Sequence, residues 1–287
     1  MIKRAALVWL AAFLSAGVAW AACDDTSPAE VYPTANVLPE NLLRIYIYFP
    51  RPMDLGQGIE LVRLLDASGD EVERAFLSNR DDLWSPDRRR LTLLLDPGRV
   101  KTGLDAHEEL GRALIPGQAY TFEVSGSARG ADGCLLGVGT RHAFTVAAAD
   151  YDPPQPALWD FAAPGVSSTD PLNVVLGTAH DHLSLAYRLR VLDADGAVVP
   201  GGISLGANEA SWHFTPKEAW QPEPYALVID ERLEDLAGNR PGLLFDRPID
   251  QAPLPWKRAL PFTPRPRRFS GSSAWTEFCL FDAHPHV

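Results

Sequence analysis

Apolar and polar residues alternate with period two along most of the chain, the pattern of strands that bury one side and wet the other. In the clearest run Leu43, Ile45, Ile47 and Phe49 share one face and Arg44, Tyr46 and Tyr48 the other, which predicts a strand with a solvent-facing side. The same reading predicts strands over 60–65, 71–76, 91–95, 119–125 and 142–147, then over 172–176, 183–192, 210–214 and 225–230. Beyond the N-terminus no stretch carries a long helical stripe; short helical turns are expected within 99–104 and 106–114.

Two elements recur in the same order. Arg63-Leu64-Leu65-Asp66-Ala67-Ser68-Gly69 is echoed by Arg190-Val191-Leu192-Asp193-Ala194-Asp195-Gly196, and Val72 and Val199 resume the returning chain at the same offset. Pro116-Gly117-Gln118-Ala119-Tyr120 is then echoed by Gln221-Pro222-Glu223-Pro224-Tyr225, each leading into an apolar strand and a turn, Ala131-Asp132-Gly133 or Ala237-Gly238-Asn239. An ordered pair of echoes predicts two copies of one fold. The prolines of Asp150-Tyr151-Asp152-Pro153-Pro154-Gln155-Pro156 hold the backbone extended and place a linker between the copies.

Leu38-Pro39-Glu40-Asn41, an alternating strand and then Phe49-Pro50-Arg51-Pro52-Met53 resemble the opening of bacterial immunoglobulin-like domains of surface and S-layer proteins, whose first strand commonly ends in Phe-Ser-x-Pro-Met; Pro50 and Arg51 replace Ser-x here. Tyr225-Ala226-Leu227-Val228-Ile229 and the later Asp235-Leu236-Ala237-Gly238-Asn239 resemble the closing strand and turn of the same superfamily. The stretch 83–104 is similar to one recurring in exported bacterial proteins with this two-domain layout, and the likeness as a whole spans about 36–247. It implies an all-β protein of two tandem immunoglobulin-like β-sandwich domains. The expected division is a signal peptide at 1–22, a first domain at 23–150, a second at 151–250 and an arm rich in proline, arginine and aromatic residues at 251–287.

Lys3 and Arg4, an apolar run over 5–20 and small residues at Ala19, Ala21 and Ala22 have the order of a cleaved secretory signal. Two processing routes stay open. Ala19-Trp20-Ala21 fits ordinary signal peptidase, whereas Ala21-Ala22-Cys23 resembles the end of a bacterial lipobox, with Cys23 carrying the lipid and Trp20 standing where such a motif usually has leucine. In an oxidising compartment Cys23 and Cys134 are the expected disulfide of the first domain, the alternative being lipidation of Cys23; Cys279 is left over. The expected location is therefore the periplasm or cell surface.

With 26 basic and 37 acidic residues the net charge is −11, and loss of Lys3 and Arg4 makes it more negative still. Nucleic acid is not the expected partner, because phosphate binding needs a net basic face.

Few residues stand out as chemistry. Arg88, Arg89 and Arg90, beside Trp84 and the acids Asp81, Asp82 and Asp87, form the candidate binding ridge, for anionic sugars or for a protein partner; pairing of the arginines with those acids and burial of Trp84 form the plain alternative. His180 and His182 would share one side of a strand, with Asp181 facing away, and are the weak metal candidates; His284 and His286 are weaker. Asp193-x-Asp195-Gly196 is a turn, since Ser204 stands where a calcium loop needs a bidentate glutamate. Trp212 is expected in the core, while Trp159, Trp220, Trp256 and Trp275 could bind sugar rings or staple loops. No nucleophile elbow, zinc-protease helix or phosphate-binding glycine loop occurs, and no cofactor is implied. The expectation is a non-enzymatic structural or protein-interaction module of the cell envelope whose partner is an envelope protein or a glycan, the alternative being a carbohydrate-binding or enzyme-accessory module.

Overall fold

The computed structural model describes residues 27–78, 82–100, 111–246 and 252–266. The leader, Cys23, Asp81, Cys279, most of the helical turns expected within 99–114 and the arm beyond 266, with Trp275, His284 and His286, lie outside them.

The chain is all-β. The first sandwich is built from β1 (Glu30–Tyr32), β2 (Val37–Pro39), β3 (Arg44–Tyr48), β4 (Val62–Leu65), β5 (Leu83–Trp84), β6 (Arg90–Leu94), β7 (Ala119–Val124) and β8 (Thr140–Ala147), with the short α1 (Pro97–Val100) between β6 and β7. One sheet has the order β1-β3-β6-β5 and the other β2-β8-β7-β4; β2 runs parallel to β8 and the remaining pairs are antiparallel. The inward residues Ile45, Ile47, Leu91, Phe122 and Phe144 meet in one core between the sheets.

The second sandwich repeats that order. It comprises β9 (Asp160–Ala162), β10 (Leu172–Val175), the one-turn-plus helix α2 (His182–Arg188), β11 (Leu189–Leu192), β12 (Gly201–Leu205), β13 (Ser211–Pro216), β14 (Tyr225–Ile229) and β15 (Ala259–Phe262). Its sheets are β9-β10-β13-β12 and β11-β14-β15, and a parallel bridge from Gly165 to Arg265 takes the place of the β2–β8 pairing. Strand for strand, both copies show the A-B-E-D and C-F-G sheets of the immunoglobulin arrangement. A second core gathers Trp212, Phe214, Trp220, Leu227 and Phe262.

The echoes in the sequence are the same local structures. Asp66 Oδ1 accepts the N–H groups of Ser68 and Asp70, and Asp193 Oδ1 those of Asp195 and Ala197. Gly69 and Gly196 both take the left-handed conformation these turns require, at φ 85° and 80°. Tyr120 and Tyr225 are twin tyrosine corners, their hydroxyls accepting the N–H of Ile115 (3.2 Å) and Gln221 (3.1 Å).

Several expectations are corrected. Residues 183–192 are a helix followed by a strand: Asp181 caps α2 by accepting the N–H of Ser184 at 2.8 Å, and Leu185 faces the core at helical spacing from Leu189. His180 and His182 consequently do not alternate along a strand with Asp181 pointing away; Asp181 is buried between them. The stretch 71–76 makes only single bridges at Glu71 and Phe76, because the chain turns at Arg74 with φ 50°. Part of the expected arm is a strand, since β15 closes the second sandwich against β14. Trp159 and Trp220 are buried, and Trp220 donates its indole N–H to the carbonyl of Asp170 at 2.9 Å, so neither is a free sugar platform.

The largest correction concerns the wet side of β3. Tyr46 is 2% exposed, because the second sandwich is docked on that face.

Candidate functional site

The contact between the sandwiches is polar and closed. Leu43 donates its backbone N–H to the carbonyl of Leu236 at 2.9 Å, and Leu236 joins the first core. The linker is clamped from both sides: Asn41 exchanges two 2.8 Å hydrogen bonds with the backbone of Asp150, and Asn239 donates to the same carbonyl at 3.1 Å. These asparagines end the two short motifs that carry the family resemblance.

Below them, Tyr46 donates its hydroxyl proton to Asp181 Oδ2 at 2.7 Å, and Arg44 binds Glu234 while its Nε stands 3.8 Å from Asp181. Burial pushes the carboxyl of Asp181 up, opposed by Arg44 and by the hydrogen bonds from Tyr46 and Ser184. Burial likewise raises the Tyr46 phenol, with Asp181 adding to it. Arg44 loses by burial, but Asp181, Tyr46 and Glu234 together hold it firmly charged.

On one flank of this network the ring of His182 packs on Tyr32 with centroids 3.8 Å apart, and its Nδ1 is 3.6 Å from Glu209 Oε1. Glu209 is buried and accepts both the N–H and the hydroxyl proton of Thr34 across the boundary, at 2.8 and 3.1 Å. Asn208 and Glu209 take φ values of 60° and 52°, a costly pair of left-handed residues that the bonds to Thr34 and His180 hold in place.

On the other flank the junction opens into a cleft of about 830 Å³. One wall is the outer face of β3 and β6 with the turn 85–89; the other is α2 with the loop after β14. Six arginines line it: Arg44, Arg89, Arg90, Arg188, Arg232 and Arg240. Glu234 takes up Arg44 and Arg240, and Asp230 takes up Arg188 and Arg232. Arg89 and Arg90 make no such close pair among the described residues, although the charge of Arg89 acts on Asp87 in the same lining. Among the described residues no ion pair joins them, or Arg88, to a carboxylate. Arg89 donates to the carbonyl of Pro50 at 2.7 Å, and Arg90 reaches the Tyr48 hydroxyl while its buried Nε meets no acceptor. The cleft thus gathers six arginines against three lining carboxylates, Asp87, Asp181 and Glu234.

The structure therefore divides the expected ridge. Arg89 and Arg90 line the cleft, whereas Arg88 closes the turn at φ 58°, its carbonyl accepting the N–H of Met53. Trp84 packs on the first core beside Phe49, with ring centroids 5.6 Å apart. Asp82 accepts the N–H of Ile59, and Asp87 is held by Ser85 and the N–H of Arg89. His180 lies in the interior, its Nδ1 on the carbonyl of Thr178, and burial holds its pKa down at about 4. Cys134 is disulfide-bonded, and both other cysteines fall outside the described residues.

Arg188, Arg232, Arg240 and the tyrosines Tyr48 and Tyr187 were not singled out by the sequence. A further missed set is Ser211, His213 and Asn173, linked by contacts of 3.1 Å (Ser211 Oγ to His213 Nε2) and 2.7 Å (His213 Nδ1 to Asn173 Oδ1). The signal was Ser-x-His on one strand; the set ties β13 to β10 on their outer face.

No protein-family model matches this chain, and no curated protein matches it. Among solved structures it is similar to Escherichia coli alpha-2-macroglobulin spanning domains MG0-NIE-MG1, with 11% identity, 82% of this chain and 71% of that one covered, and a TM-score of 0.26. It is also similar to domains 1–6 of surface layer protein SbsC, with 16% identity, coverages of 70% and 23% and a TM-score of 0.28. A third is the N-terminal Ig1-2 module of the Drosophila receptor protein tyrosine phosphatase DLAR, with 13% identity, coverages of 71% and 91% and a TM-score of 0.23.

Proposed function

We propose that this chain is a non-enzymatic interaction module of the cell envelope, in which two immunoglobulin-like sandwiches, fixed to each other at a polar junction, present an arginine-lined cleft to an acidic partner. The observation that carries the reading is the pair Arg89 and Arg90, which make no close ion pair with a carboxylate among the described residues, in the lining of an 830 Å³ cleft. The planar fork of a guanidinium suits carboxylate or phosphate groups. The closed junction supports a preformed site, since binding there needs no rearrangement of the domains. An exported location is supported by the leader-like N-terminus and by the disulfide at Cys134.

Titration calorimetry with poly-L-glutamate, inorganic pyrophosphate and oligogalacturonate at low salt tests the reading. The wild-type protein should bind at least one of them, and Arg89→Ala/Arg90→Ala should weaken that binding tenfold or more. Failure of all three to bind, or equal binding by the double variant, would rule the acidic partner out.

A further inference from the structure

Building on the acidic-partner reading, we infer that the cleft takes a carboxylated sugar, a uronic-acid segment of an anionic glycan. The walls supply the two contacts such a ligand needs. Tyr187, on the second turn of α2, is 63% exposed beside Arg188, and Tyr48 on β3 stands on the opposite wall, hydrogen-bonded by Arg90. An aromatic face next to a guanidinium covers the apolar face of a sugar ring while the fork holds its carboxylate.

The topology disfavours a peptide. Strand addition needs a free sheet edge, but β3 and β6 are the inner strands of the order β1-β3-β6-β5, so their backbone groups are already paired. An amphipathic helix needs an apolar floor. Here four charged side chains, Asp181, Glu234, Arg44 and Arg240, interrupt the lining. The volume lies within the usual range for small-ligand sites, roughly 300–1,000 Å³, and suits a few sugar rings. The buried tryptophans play no part, so this site differs from the loop-tryptophan platform that the sequence suggested.

The test is calorimetric titration of the full chain with trigalacturonate, its methyl ester, maltotriose, triglutamate and inorganic phosphate. Trigalacturonate should bind, with the ester and maltotriose at least tenfold weaker. Arg90→Lys, which keeps the charge and loses the fork, should weaken trigalacturonate about fivefold or more. Tyr187→Ala should weaken it severalfold and leave triglutamate unaffected, and Tyr187→Phe should restore it. Equal binding of the ester, or indifference of trigalacturonate to Tyr187→Ala, overturns the sugar assignment. Binding of triglutamate or phosphate but not trigalacturonate, lost in Arg89→Ala/Arg90→Ala, overturns the sugar and preserves the acidic partner. Absence of all binding overturns both.

Discussion

The two sheets of the first sandwich carry nearly the same outward pattern and meet opposite fates. On the β2-β8-β7-β4 sheet, Glu123 lies between Arg63 and Arg141, whose side chains are 54% and 61% exposed. On the β1-β3-β6-β5 sheet, Tyr46 is covered by the second sandwich and Arg44 is partly buried against it, and the acids they meet, Asp181 and Glu234, are buried. The same alternation therefore yields a solvated ion cluster on one side and a domain junction on the other. The energetic consequences differ as well, because a surface pair is screened and contributes little, whereas a buried group stripped of its partner is left desolvated.

The largest expected effect comes from Asp181→Ala. It removes the acceptor of Tyr46, one of the acids facing Arg44 and the cap of α2 together, and should destabilise the protein by about 3–5 kcal/mol in urea denaturation. A loss below about 1 kcal/mol would make the junction no different from the open sheet.

His180 sharpens the contrast through pH. Its folded pKa, about 4, lies below the unfolded value of about 6.5, so the neutral form is preferred on folding. The associated stability is present above pH 6.5 and is lost as pH falls toward 4, by roughly 3 kcal/mol. Denaturation curves at pH 7, 5.5 and 4 should show that slope reduced in His180→Phe, which preserves the ring against Trp159; identical slopes in the two proteins would contradict it.

Gly238→Ala tests the packing of the junction directly. Gly238 has φ 79°, and an added Cβ would stand 2.6 Å from Leu43 Cδ2 across the boundary, so a loss of about 1–3 kcal/mol is expected. A neutral result by thermal melting would mean that the sandwiches are not seated as described.

The smallest effect belongs to the open sheet. Glu123→Ala should change stability by less than about 1 kcal/mol, and that difference should shrink further in high salt. An effect matching Asp181→Ala would erase the distinction between the faces.

The sequence by itself determined the repeated sandwich. Runs of five or more alternating residues, the twin Asp/Gly turns at Asp66 and Asp193 and the recurring Tyr120 and Tyr225 are local features, set by side-chain period and turn chemistry. The two- and three-residue strands β1, β2, β5 and β9 were illegible, since a period cannot be read from so few positions. Leu183, Leu185 and Tyr187 fit a strand until Asp181 is seen to cap a helix. The candidate site was legible only in Arg89 and Arg90. Its remaining arginines and tyrosines come from β3, α2 and the loop after β14, far apart in the chain, and converge only because one sandwich docks on the other. Tertiary structure alone decided that docking, because alternation records which side of a strand faces away from its own core and cannot record whether water or another domain lies beyond it.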